Sequence, residues 1–381
     1  MNILDLTAHS IEEHDMVRLF AELEHDVFSP GAYVDPKSPG DDMRPAIMDD
    51  RADHPELREV LERVPVSKER PDVLWNAKDD LPDEWLDWMD VLVCHHVEWR
   101  WLWPQWDKLR ATGKRIIWRT VGQSMHNNEH QAWKYAHDGL EIVRYSPREE
   151  NIPNYAGGDA LIRFYKDPRE WEGWHGEGGY VLLNTQNPQE RAQFINLPWV
   201  KAAIGDLPVK WVGPGTESEG GAGKVPALKL QSMMREARVM LYSGTQPASY
   251  TLALIEGMMT GLPVVSIGPE SFDMAPYSPR LFEGHLIAPM WANAPSEANE
   301  MLRALLEDDD HAKRVSEVSR QRAIALFGRD RIADAWDGWL TDKRRPDSDP
   351  EELPDVATWK MEEQDIVRKP EGYPDATNAR A

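Results

Sequence analysis

Cys94 is the only cysteine in 381 residues. One thiol closes no intrachain disulfide and builds no thiolate metal cluster, so a disulfide-stapled scaffold is excluded and a reducing compartment, the cytoplasm, is the expected location. Long hydrophobic runs are also missing: no stretch reaches the roughly 18 apolar residues of a membrane span. The opening MNILDLTAHSIEEHD lacks the basic start and apolar core of a secretory leader, so neither span nor leader is expected. Positive charge is scarce, with 43 Lys and Arg against 66 Asp and Glu and a formal charge of −23. Such a balance repels phosphate backbones and anionic lipid and excludes a generic nucleic-acid coat. What the chain does have is 41% apolar residues and 17 tryptophans, enough for a folded core. At roughly 100 to 200 residues per domain the length accommodates two domains.

Short apolar runs alternate with amphipathic segments, which is the pattern of buried parallel strands joined by helical crossovers and defines an α/β class. Strands are predicted at residues 2–7, 26–29, 72–75, 90–94, 115–120 and 141–145, with a helix at 10–24 introduced by Ser10 and Glu13. Residues 35–64 read as loops with one short helix near 55–63. Between 145 and 179 the composition shifts to Pro, Gly, Glu and Trp, and the domain boundary is placed there. The alternation then restarts with strands at 180–183, 209–212, 239–242 and 264–267. Helices are predicted at 188–204, 226–236, 251–260, 296–307, 311–327 and 331–340. Residues 341–381 are polar and contain five prolines, which predicts an extended tail. The expected units are a first domain at 1–165, a second at 176–335, and a returning helix with the tail at 336–381. The expected architecture is two facing Rossmann-like, doubly wound parallel sheets.

In open parallel sheets ligands bind at the carboxyl ends of strands, where helix amino termini converge. The stretch SGTQPASYTLALIEGMMTGLPVVSIG, residues 243–268, is a strand end, a loop of small residues, a helix, a Gly-Leu-Pro turn and another strand. Ala248, Ser249, Tyr250 and Thr251 precede a helix whose amides and dipole favour an anion, which points to a phosphate site. Glu256, farther along the helix, is placed to accept two hydroxyls of a ribose; phosphate and ribose together make a nucleotide. The competing reading makes Glu256 a solvated helix charge and the loop an ordinary connection. Arg191 is a candidate phosphate-gripping cation, and Lys224, in a run without P-loop spacing, is another. Gly213 and Gly215 follow a strand and either approach a base or simply turn the chain. On the first domain, His95 and His96 end a strand at the expected cleft, as candidates for acceptor binding or for stabilising developing charge, although packing is the commoner fate of such a residue. Gly122 and Gln123 end another strand at the same edge. Trp99 is the acceptor-side aromatic candidate, while most tryptophans of residues 85–133 are read as core. His126, His130 and His137 lack neighbouring carboxylates in a ligand pattern, so no metal site is expected.

The 243–268 segment resembles the donor-site signature of the retaining GT-B glycosyltransferases, the group 1 type. That signature is a Glu, seven residues, a second Glu, then Ala-Met, two residues and Gly-x-Pro-Val-Val. Here Ala248, seven residues, Glu256 and Gly261-Leu262-Pro263-Val264-Val265 fill the frame, with Gly257-Met258-Met259-Thr260 between. Phe282-Glu283-Gly284-His285-Leu286-Ile287 resembles the family's Asn-Gly-Leu-Leu-Val segment, and Ser319 to Trp336 its closing helices, the last crossing back to the first domain. The likeness spans about residues 180–340.

The resemblance implies a hexosyltransferase using a UDP- or GDP-sugar as co-substrate, without a tightly bound cofactor or an obligatory metal, and with retention. Glu256 would hold the ribose, and the backbone at Ser249, Tyr250 and Thr251 the diphosphate and sugar. Ala248 stands where the family carries its first Glu, which touches the transferred sugar. Arg191 stands in for the usual Lys. The acceptor is a glycan, a protein or a modified DNA base; residues 101–150 carry 8 Lys and Arg against 6 Asp and Glu, a locally basic stretch consistent with the last. A catalytically silent scaffold that binds nucleotide or glycan is the alternative class.

Overall fold

A computed structural model describes residues 1–7, 10–29, 80–95, 102–122, 125–272 and 274–342. The strand at 72–75, the helix at 55–63 and the tail beyond 342 lie outside the described residues, as do His96, Trp99 and Gln123.

The first domain runs β1 (Asn2–Leu6), α1 (Ser10–Glu22), β2 (Asp26–Phe28), α2 (Asp83–Trp88), β3 (Val91–His95), α3 (Trp106–Ala111), β4 (Arg115–Arg119), α4 (His126–Ala136), β5 (Leu140–Arg144) and β6 (Ala160–Leu161). Its sheet order is β2-β1-β3-β4-β5-β6, parallel at each pairing. β3 is buried at all five positions, because helices cover both faces of a parallel sheet and leave no polar side to alternate with. Trp85, Trp106 and Trp118 fill the core on one face, whereas Trp133 is half exposed.

The second domain runs β7 (Val181–Asn184), α5 (Leu197–Ile204), β8 (Val209–Val212), α6 (Ala227–Glu236), β9 (Val239–Tyr242), α7 (Leu252–Thr260), β10 (Val264–Ile267), α8 (Gly284–Ile287), β11 (Met290–Ala292), α9 (Pro295–Glu307) and α10 (Asp309–Phe327). Its five strands are ordered β11-β10-β9-β7-β8, again all parallel. α7 ends because Gly261 adopts φ 93°, a left-handed value that a side chain disfavours. Gly261 N–H then bonds Met258 O and Leu262 N–H bonds Gly257 O, both at 3.0 Å, which closes the last turn and aims Pro263 into β10. α10 starts at Asp308, whose carboxylate accepts the His311 amide at 2.9 Å.

α11 (Arg329–Asp337) follows and packs back onto the first domain. Ile332 and Trp336 join Ile3 and Phe20 in one buried cluster, with Trp336 edge-on to Phe20 at 5.2 Å. Apolar contact is continuous between the domains, since Val121, Tyr145, Ile152 and Phe164 of the first half belong to the core of the second.

The helix expected at 188–204 forms only over Leu197–Ile204. Residues 189–196 make turns instead, and Asn196 at φ 49° breaks helical geometry just before the first full turn.

Candidate functional site between the two sheets

The carboxyl edge of the second sheet is built from backbone and small side chains. After β9 the chain passes through Ser243 to Thr251 before entering α7. Ala248, Ser249 and Tyr250 are buried, and Thr251 is partly exposed. Ser249 N–H donates to the Tyr145 hydroxyl at 2.8 Å, and Thr251 N–H donates to the Tyr242 hydroxyl at 3.0 Å. Burial pushes both tyrosines up in pKa, so both hydroxyls stay protonated. Tyr250 donates its own hydroxyl to the Tyr145 carbonyl at 2.6 Å. Two buried groups of this loop, Gln246 Nε2 and Ser249 Oγ, have no hydrogen-bond partner among the described residues. Such orphans are uncommon in native folds and mark places where a ligand or water completes the structure.

Gly213 and Gly215 line the neighbouring loop after β8. At φ 123° and with the Thr185 carbonyl where a Cβ would stand, position 213 admits only glycine. Gly215 lies against Asn187, whose amide donates to the Pro214 carbonyl at 2.6 Å. These glycines thus bring the loops after β7 and β8 together. Arg191 lies in the turns that follow β7. It is partly buried, burial lowers its pKa, and no carboxylate pairs with it among the described residues. Lys224 is exposed.

Glu256 is buried on the face of α7 turned to the first domain, its Oε1 2.9 Å from Lys166 Nζ. The same ammonium lies 2.8 Å from Asp15 Oδ2 on α1. Lys166 is itself buried, and its amide donates to the Phe327 carbonyl at 3.0 Å. Two carboxylates therefore share one cation across the domain junction. Burial, followed by the repulsion of Glu12 and Glu256, pushes Asp15 up to about 7 against the opposing pull of Lys166. Lys166 is raised in turn, its two carboxylates outweighing the burial that would lower it.

The carboxyl edge of the first sheet is charged instead. His95 Nε2 stands 2.6 Å from Asp5 Oδ1, and His95 Nδ1 3.8 Å from Glu12 Oε1; all three residues are buried. Burial alone would lower the His95 pKa, but Asp5 and Glu12 overcome it and the net direction is up. Glu12 is raised by burial. Arg119 is completely buried, with Glu12 3.9 Å from Nε and the Phe164 ring 4.9 Å from its guanidinium carbon. None of its three guanidinium nitrogens has a hydrogen-bond partner among the described residues.

Of the residues singled out in sequence, Gly122 and Ala248 are brought together, for a Cβ at Gly122 would lie 3.8 Å from that of Ala248. This joins the first sheet's edge to the loop before α7. His95 lies deeper, against Asp5. Asp5, Glu12, Asp15, Arg119, Tyr145 and Lys166 were not singled out. Asp5 did carry a signal, an acidic residue inside the apolar strand NILDL. Among the described residues no group of three or more His, Cys, Asp or Glu side chains is arranged to hold a metal, and no helix is long and apolar enough to cross a membrane.

Two facing parallel α/β sheets, joined by a short connection and locked by a returning helix, define the GT-B fold. Among solved structures with this architecture, the Anabaena protein HepE, crystallised with UDP-glucose, matches 90% of this chain and 100% of its own at a TM-score of 0.58 and 11% identity. A glycosyltransferase from Rickettsia africae matches over 87% of this chain and 96% of its own, with a TM-score of 0.54 and 11% identity. At that identity the likeness is one of fold. No protein-family model matches the sequence, and no curated protein matches it.

Proposed function

We propose that the protein is a glycosyltransferase that moves a sugar from a UDP- or GDP-sugar to an acceptor hydroxyl, with retention. The observation that carries this reading is the loop between β9 and α7. It holds Gln246 Nε2 and Ser249 Oγ, buried and without a hydrogen-bond partner among the described residues, at the mouth of a helix, in the sequence frame of a nucleotide-sugar site. A solved protein of the same fold holds UDP-glucose, which supports the same donor class here.

In this reading the Tyr145 and Tyr242 hydroxyls occupy amides that diphosphate oxygens take over, and Ser249, Tyr250 and Thr251 form the diphosphate cradle. Arg191 and Lys224 stabilise the charge that builds on the departing diphosphate. Glu256 accepts the ribose hydroxyls, the glycine turn at Gly213 and Gly215 lies toward the base, and Ala248 faces the sugar. The acceptor enters past Gly122, Gln123 and Trp99, where His95 and His96 handle the proton or the developing charge. The reading needs no metal and places the protein in the cytoplasm. Residues 1–165 serve as the acceptor domain, 176–335 as the donor domain, and 336–381 as returning helix and tail.

Incubation of the full chain with a panel of UDP- and GDP-sugars tests this. Hydrolysis or transfer from at least one is expected; no turnover together with no thermal shift by UDP or GDP overturns it. A silent scaffold is favoured by one specific observation, that tyrosine hydroxyls and Lys166 already engage the amides and Glu256. It predicts nucleotide binding with no turnover for any sugar. For the acceptor, a steep salt dependence of binding to hydroxymethylated duplex would select modified DNA.

A further inference from the structure

Helix α4, with His137 as its C-terminal cap, leaves one side uncovered; Asn128, Glu129 and Ala132 make its buried side. At 3.6 residues per turn, positions 126, 130, 133 and 137 project within about 60° of one another, so His126, His130, Trp133 and His137 form a single stripe. Three imidazoles and an indole thus follow one another along the helix over about 16 Å, at intervals of roughly one turn. Trp133 is 50% exposed, whereas Trp85, Trp106 and Trp118 of the same domain are buried. The His137 ring meets it edge-on at 4.8 Å. An indole left half in water is an unspent contact surface. Among the described residues, the side chains of His130, Trp133 and His137 make no hydrogen bond or ion pair.

The stripe starts at the seam between the domains. α4 begins four residues after Gly122, which lies beside Ala248 of the second domain. The His126 amide donates to the Tyr277 hydroxyl of that domain at 3.2 Å, and the two rings lie 6.2 Å apart. From there the helix leads away from the carboxyl edge of the sheet, as a crossover between parallel strands must.

The chemistry of this side selects its partner. Apart from its histidines, the helix exposes one charge, Lys134, and Asp138 follows it. A nucleic acid needs several cations along its path, and here one stands in a chain of formal charge −23. A second copy of the chain needs a contact of roughly 800 Å² per partner, and Trp133 is the one large apolar side chain that α4 exposes. His126 and His130 stand four apart, as chelating histidines do, but no group of three metal-ligating side chains occurs among the described residues. A neutral sugar chain fits what is present. The slightly positive C–H face of a pyranose lies against the negative face of an aromatic ring. Imidazole nitrogens and the amides of Asn127 and Gln131 answer its hydroxyls. One helical turn, about 5.4 Å, is close to the length that one sugar adds to a chain. We propose that the stripe from His126 to His137 is a docking track for a neutral glycan of roughly three or more sugar units. That this glycan is the acceptor rests on the glycosyltransferase reading; its docking on α4 does not.

The test is calorimetric titration of the full chain with cello-, malto-, laminari- and chito-oligosaccharides of increasing length, and with single-stranded DNA of the same span. It is repeated on Trp133→Ala, Trp133→Phe and His137→Ala, whose side chains are exposed and whose unfolding temperatures are expected to match the parent. Affinity for one series is expected to rise with length up to roughly three or four units and then level off. Trp133→Ala is expected to lower it about tenfold and His137→Ala by less, with Trp133→Phe recovering most of the loss. In transfer assays the Ala variants should raise KM for the long acceptor and leave kcat and the donor KM unchanged. Glycan binding that no variant changes, or no binding of any series at millimolar concentration, overturns the proposal. So does DNA binding with a steep salt slope that Trp133→Ala removes while no glycan binds. Glycan binding lost in Trp133→Ala, by a chain that never binds or turns over a nucleotide sugar, keeps the track and removes the glycosyltransferase reading; turnover without glycan binding does the reverse.

Discussion

The two sheet edges that face one another are made of opposite materials. On the first, Asp5, Glu12, His95 and Arg119 are buried, and burial together with these neighbours shifts the ionisation of Glu12, His95 and Arg119. On the second, the loops after β8 and β9 present glycine, alanine, serine and tyrosine hydroxyls, and the buried carboxylates beside them are paired, Glu256 with Lys166 and Glu283, whose amide bonds the Ser249 carbonyl, with Arg163. Buried charges are costly and persist where they are paired or used. Backbone amides and small residues cost little and let a bulky anion approach closely. In the proposed function, the first edge moves or stabilises charge and the second holds the charged group.

The largest test of this contrast removes the ion that joins the two edges. Lys166→Met leaves Asp15 and Glu256 without their shared cation and is expected to cost about 3 to 5 kcal/mol in chemical denaturation. Adding Asp15→Asn and Glu256→Gln should restore much of it; a single-variant loss below about 1 kcal/mol would mean the junction is wetter than its burial implies.

On the charged edge, Asp5→Asn removes the main group that raises His95. Because a raised histidine stabilises the fold below its unfolded pKa of 6.5 and loses that contribution as pH climbs through the folded value, the variant should lose stability most at acidic pH. In donor-turnover assays the pH limb assigned to His95 should move to lower pH, with a rate loss on the order of 10²-fold. An unmoved limb would separate His95 from the chemistry.

Asp15→Asn is a smaller, sign-specific test. Asp15 holds its proton in the fold up to about 7 but only to 3.8 when unfolded, so between those values its contribution to stability declines as pH rises. The Asn variant should lack that decline in denaturation curves taken from pH 4 to 7. A parent and variant with equal slopes would contradict the burial that raises Asp15 against the pull of Lys166.

The smallest effect is expected on the backbone edge. Tyr145→Phe removes the hydroxyl that satisfies the Ser249 amide and should cost about 1 kcal/mol of stability. If that amide belongs to the diphosphate cradle, UDP affinity rises a few-fold at the same time. Unchanged affinity would leave Tyr145 as a structural tie only.

The architecture was legible because it rests on local pattern. Strands buried on both faces read as apolar runs, so 209–212, 239–242 and 264–267 appear at the same residues in the structure. The Gly-Leu-Pro turn likewise states its own geometry. Short elements were not visible: β6 is two residues and β11 three, too brief for any period. The site was less legible because its partners come from distant parts of the chain. Nothing near Glu256 in sequence announces Lys166, 90 residues earlier in the connection between the domains, or Asp15, which the same lysine reaches on α1. An isolated Asp in an apolar strand, as at Asp5, was the one such clue, and its meaning depends on His95 being its neighbour across the β1–β3 pairing.

The account stands most directly on crystals of the full chain soaked with uridine diphosphate. Diphosphate density against the Ser249 and Thr251 amides, with the Tyr145 hydroxyl displaced and the ribose on Glu256, is the predicted result. Nucleotide bound elsewhere, or the loop unchanged with Tyr145 still on Ser249 at saturating concentration, would contradict it.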